Sequence, residues 1–121
     1  MPDPVLANPP FAILAMGHDP QGVKRKPINL TGHPTNKQAV VAAVAGKKIR
    51  VLSYDAQPSA ACDLTWWSGT SAAISAVIAM PIYGGRIPSY NPAGWVETVP
   101  GEALNAIATG NVGITLQYIE V

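Results

Sequence analysis

Charge is what this sequence has least of. Asp, Glu, Lys and Arg make up 12% of its 121 residues, about half the usual share near 25%. So thin a charged coat keeps a lone subunit in solution poorly. It points to a surface that meets other protein, unless Ser, Thr, Asn and Gln supply the polarity instead. Cysteine is nearly absent as well. Cys62 stands alone, which excludes an intrachain disulfide framework, and between Ala61 and Asp63 it reads as a small buried hydrophobe. Histidine is confined to His18 and His33, and without a Cys or His cluster no metal site is expected. No apolar run approaches membrane-spanning length. Pro2, Asp3 and Pro4 stand where a secretory leader would be basic, so the expected compartment is the cytosol of the producing cell, or a particle assembled there. The sequon Asn29-Leu30-Thr31 is then a coincidence.

The inventory for chemistry is equally thin. Pairing Cys62 with a histidine as a nucleophile has no support in the spacing. Glu97 and Glu102 flank Thr98-Val99-Pro100-Gly101 and read as solvent-facing residues beside a turn, not as paired acids across a cleft. Gly84-Gly85-Arg86 lacks the strand and helix context of a phosphate loop. Lys24-Arg25-Lys26 is the basic run, but three charges without interleaved aromatics read as a salt-bridging or solvated loop before a nucleic-acid contact. Trp66, Trp67, Tyr83, Tyr90 and Trp95 have the faces for stacking on sugars. Adjacent strand residues point to opposite faces, so Trp66 and Trp67 cannot share a platform; one is expected in the core and the other outward or at an interface. No catalytic residue, cofactor, metal or small-molecule substrate is expected.

What the sequence does have is proline, and most of it comes early. Prolines at 2, 4, 9, 10, 20, 27 and 34 remove backbone donors and block helix, so residues 1–36 are expected to form an extended arm. A linker would be polar throughout, yet Val5, Leu6, Phe11, Ala12, Ile13, Leu14, Ala15 and Met16 lie in it. That patch must be buried, on another subunit or a scaffold surface, or by folding back on its own body. Charge is split too. Up to residue 50, seven Lys and Arg stand against two Asp, giving +5; beyond it, one Arg stands against five Asp and Glu, giving −4. A basic arm on an acidic body suits subunit-to-subunit packing.

Residues 37–121 read as a β-sandwich. Lys47–Tyr54, Ala61–Ser68, Gly94–Val99 and the run from Val112 to the C-terminus carry strand patterns, with turns at Ser68-Gly69, Gly84-Gly85 and Pro100-Gly101. The Ala-rich stretches 38–45, 71–79 and 102–109 fit helix or strand by periodicity. Strand is preferred because the neighbouring strands recur about every ten residues.

The stretch Ala42-Ala43-Val44-Ala45-Gly46-Lys47-Lys48-Ile49-Arg50-Val51-Leu52-Ser53-Tyr54 resembles the first core strands of small tailed-phage head proteins. Trp67-Ser68-Gly69-Thr70-Ser71, Gly101-Glu102-Ala103-Leu104-Asn105 and the closing Val112–Val121 follow in the same order. The resemblance covers residues 38–121 and leaves out the arm. It implies an all-β, jelly-roll-like sandwich, often trimeric, that cements or decorates the outer capsid surface, with the major capsid protein and its own copies as partners. The expected interface residues are Phe11, Ile13, Leu14, Met16, Lys24, Arg25, Lys26, Trp67, Tyr90 and Trp95. A carbohydrate-binding module on a virion fibre or tail tip is the alternative, and a small enzyme is a third reading.

Overall fold

A computed structural model describes residues 22–121. Among them are nine strands and no helix: β1 (Lys24–Leu30), β2 (Gln38–Val41), β3 (Ile49–Pro58), β4 (Cys62–Ser68), β5 (Ala72–Ala73), β6 (Ile78–Met80), β7 (Val96–Glu97), β8 (Leu104–Ala108) and β9 (Val112–Glu120). They form two antiparallel sheets. One has the order β1-β9-β3-β7; in the other, β2, β8 and β4 lie side by side and both β5 and β6 pair with the far edge of β4. This is an all-β chain whose sheets pack as a β-sandwich.

Period-two burial explains the packing. In β4, Cys62, Leu64, Trp66 and Ser68 point inward and are buried, while Asp63, Thr65 and Trp67 alternate outward. In β9, Val112, Ile114, Leu116 and Tyr118 do the same. Side chains from both sheets meet in one core that includes Leu30, Val51, Tyr54, Leu64, Trp66, Leu104 and Leu116. At its centre the Tyr54 and Trp66 rings meet edge to face, centroids 5.2 Å apart, a favoured aromatic geometry.

The Ala-rich stretches contain β2, β5, β6 and β8, all extended. In β8 the small side chains of Ala106 and Ala108 are fully buried and leave room for the facing sheet, whereas Ala39, Ala72, Ala73 and Ala79 are exposed. Gly94–Val99 contributes only the two residues of β7.

Two sequence expectations need correction. Residues 24–30 belong to the sandwich: β1 pairs along its whole length with β9, from Lys24 opposite Tyr118 to Leu30 opposite Val112. Pro27 is tolerated there because β1 is an edge strand. The arm therefore does not run to residue 36; Phe11, Ile13, Leu14, Met16 and His18 lie outside the described residues. Glu102 is also no free solvent-facing acid. Its Oε1 accepts hydrogen bonds from Ser68 Oγ (2.5 Å) and Ser71 Oγ (2.9 Å), while buried Ser68 Oγ accepts from the Val99 amide. This knot ties the end of β4 to the turn before β8.

Candidate interaction surface

The fifteen residues joining β6 to β7 lie along the edge of β3. Five backbone hydrogen bonds hold them: Tyr83 N to Pro58 O, a reciprocal pair between Arg86 and Ala56, Asn91 N to Leu52 O, and Trp95 N to Val51 O. Leu52 is the extra residue of a bulge between Val51 and Ser53, which leaves its carbonyl free to accept from this connection. Two glycines permit the close approach. A Cβ on Gly85 (φ +67°) would stand 2.5 Å from the Ala56 carbonyl oxygen, and one on Gly94 (φ +88°) 2.5 Å from Arg50 Cγ.

Tied to β3 at these points, the connection turns apolar side chains to solvent. Ile82, Tyr83, Ile87, Tyr90 and Trp95 are 51, 78, 68, 56 and 42% exposed. Tyr83 has φ +60°, a conformation costly for a residue with a Cβ. Trp95 Nε1 donates to Ser89 O at 2.7 Å, and Arg86 Nε donates to Tyr54 OH at 3.2 Å. The backbone ties at Tyr83, Asn91 and Trp95 and the Trp95 indole bond thus fix these points of the strip before any partner arrives, which lowers the ordering cost of binding. Beside the strip, an open trough of about 510 Å³ crosses the outer face of the β1-β9-β3-β7 sheet, between Arg25, Ser53, Asp55, Thr115 and Gln117 on its floor and Ile87–Tyr90 on its wall.

The structure brings Tyr90, Trp95 and Arg25 to this one side. It places Trp67 on the outer face of the other sheet, half-buried, with Lys37 Nζ 4.3 Å from its ring centroid. The basic run does not act as a unit, because strand geometry alternates its side chains. Lys24 pairs with Glu120 at 3.1 Å and Lys26 is half-buried. Ile82 and Ile87 were not expected as interface residues: they sit in an irregular segment with no periodic pattern, and only their exposure reveals them, while Tyr83 stood among the aromatics named for stacking.

Elsewhere the titratable groups have structural tasks. His33 Nδ1 accepts from the amides of Thr35 and Asn36 and closes a turn. Burial pushes the Cys62 thiol up, with the Gly110 backbone bond opposing and Asp63 adding. Among the described residues no group of His, Cys, Asp and Glu could hold a metal ion, and no helix is long and apolar enough to cross a membrane.

Glu97 joins β7 to β3 through Arg50 (Nε to Oε1 2.7 Å) and Lys48 (3.2 Å). The Arg50 guanidinium holds its carboxyl below the ordinary 4.5, partial burial opposes, and the Lys48 ammonium adds. A folded pKa below the unfolded one stabilises the fold above the unfolded value and loses that effect as pH falls through the folded value. Glu97→Gln should therefore lower the urea midpoint at pH 6, and the gap from wild type should close as pH drops below about 4.5. A gap unchanged down to pH 2 would contradict the assignment.

Comparison with protein-family models and with curated proteins finds no match to this chain.

Proposed function

We propose that this chain is a structural virion protein, a cement or decoration subunit that binds the outer capsid surface as a trimer. It would be made in the bacterial cytoplasm and reside on the phage head. The observation that carries this reading is the preorganised strip of Ile82, Tyr83, Ile87, Tyr90 and Trp95. Exposed aromatics held by a tied backbone are what interface anchors require. Scarce charge and the resemblance of residues 38–121 to phage head proteins support the choice of partner. The wiring we propose is jelly-roll-like. With β5 and β6 counted as one interrupted strand, the sheet orders become 1-8-3-6 and 2-7-4-5, the pattern of two nested Greek keys.

The test is co-sedimentation with capsids that lack the protein. Ile87→Ser with Tyr90→Ser removes two side chains that are more than half exposed, so folding should be unaffected. Capsid occupancy should fall at least tenfold, since a central anchor is worth about 2 kcal/mol or more. Unchanged occupancy would sink the reading, and a clean monomer by light scattering at micromolar concentration would remove the trimer.

One observation favours a second reading, a carbohydrate-binding or adhesion module: Tyr90 stands beside a trough floored by Arg25, Asp55, Thr115 and Gln117. Aromatic and polar side chains so placed suit a sugar ring. A glycan array decides between the two; hits lost in Tyr90→Ser would favour the sugar.

A further inference from the structure

The trough beside Tyr90 is one end of a longer groove. It shares Asp55 and Thr115 with a second hollow of about 450 Å³, and that hollow shares Asn29, Gln57 and Gly113 with a third of about 310 Å³. All three lie on the outer face of the β1-β9-β3-β7 sheet. They follow β9 from Gln117 to Gly113 and reach Asn111 in the turn before it, about 20 Å at the rise of a strand.

Strand pairing builds the floor in rungs. Arg25, Gln117 and Ser53 stand side by side across β1, β9 and β3, and Pro27, Thr115 and Asp55 form the next rung. In the third, Asn29 and Gln57 flank Gly113, whose missing side chain lowers the floor between them. Successive rungs are two residues apart and so share a face, while Tyr54, Ala56, Ile114 and Leu116 between them fill the core. Hydrogen bonds fix part of this floor. Ser53 Oγ donates to Gln117 Oε1 at 2.9 Å, and Gln57 Nε2 donates to Asp55 Oδ1 at 3.0 Å. Each bond engages one end of an amide or carboxylate and leaves the other end, Gln117 Nε2, Gln57 Oε1 or Asp55 Oδ2, to a ligand.

The chemistry of the floor selects its occupant. Arg25 and Asp55 cancel, so a polyanion finds no positive stripe. The backbone of β9 is spent on β1 and β3, so a peptide cannot add to it as a strand. Pro27 is the one apolar side chain in the three rungs, which gives an amphipathic helix nothing to bury against. A neutral chain with hydroxyls on every unit remains. Amide and hydroxyl side chains meet those groups in both senses, donor and acceptor, and Tyr90 offers a ring face at one end.

We infer that this groove binds an extended neutral oligosaccharide, with one unit against Tyr90 and a further subsite formed by Asn29, Gly113 and Gln57. The inference rests on the sugar reading of the trough and extends it from one ring to a chain. It does not depend on capsid docking.

Filling the distant subsite in the full-length chain tests this. Gly113 lies within β9, and a Cβ added there would meet Asn29 Oδ1 at 3.2 Å, the end of an exposed side chain that can move aside. Gly113→Val is therefore compared with wild type on an array of neutral oligosaccharides from two to six units, with sulfated and sialylated chains as comparators. Wild type should bind neutral six-unit chains more tightly than two-unit ones. Gly113→Val should weaken the six-unit chains about tenfold or more, since two lost hydrogen bonds are worth that much, and leave two-unit binding unchanged. Asn29→Ala with Gln57→Ala, both exposed, should reproduce that pattern without adding bulk to the sheet. Equal binding of short and long chains, a preference for the charged chains, or six-unit binding unchanged in both variants would overturn the extended groove. The two sugar claims fail separately. If Tyr90→Ser abolishes binding while both groove variants bind normally, the single-ring reading stands and the groove falls; if no sugar binds, both fall. A matching loss of capsid occupancy in Gly113→Val would assign the groove to the docking face and overturn it as a glycan site.

Discussion

A chain beginning at residue 36 is expected not to fold, whereas one beginning at Gly22, which keeps β1, should still unfold cooperatively in urea. The difference is β1. Its seven residues form the ladder against β9, and Leu30, 2% exposed, enters the core from it. Losing Leu30 alone costs about 2–5 kcal/mol by analogy with buried leucine truncations. Removing the strand also strips the ladder partner of β9 and exposes the flank of Ile114 and Leu116, which are 2% and 0% exposed in the sandwich. Together these losses rival the about 5–15 kcal/mol that holds a domain folded. Tryptophan fluorescence should show no cooperative transition for the shorter chain. A sharp transition there would mean that the sandwich does without β1.

Trp66→Ala should cost about 3–5 kcal/mol, the usual range for deleting a buried aromatic. Trp66 is fully buried between the sheets and meets Tyr54 edge to face. Its Nε1 has no hydrogen-bond partner among the described residues, so the indole stabilises through shape and apolar area, with its N–H a liability. Trp66→Phe keeps a ring for Tyr54 and removes the unpaired donor. It should therefore recover more than half of the loss in denaturant midpoints. Equal losses for the two variants would show that indole volume alone matters.

Three strands were legible from alternation. Lys47–Tyr54, Ala61–Ser68 and the run from Val112 overlap β3, β4 and β9, because an alternating pattern on a half-buried sheet face has one satisfactory arrangement. The first of these runs on to Pro58, past the expected stop at Asp55. Asp55 and Gln57 fall on outward positions while Ala56 is buried between them, so polar residues there continue the pattern. The interaction surface was only half legible. Tyr90 and Trp95 were named as aromatics, but Trp67 was grouped with them by residue type and lies on the other sheet.

By itself the sequence determined the β class, the separate fates of Trp66 and Trp67, and the poverty of chemical groups. Each of these depends on residue identity and on a period of two along one strand, which are local quantities. The tertiary structure alone decided that Lys24–Leu30 completes a sheet through pairing with residues over eighty positions away, and that the β6–β7 connection faces outward. Those outcomes depend on which distant backbone groups find each other, and no local pattern encodes that choice.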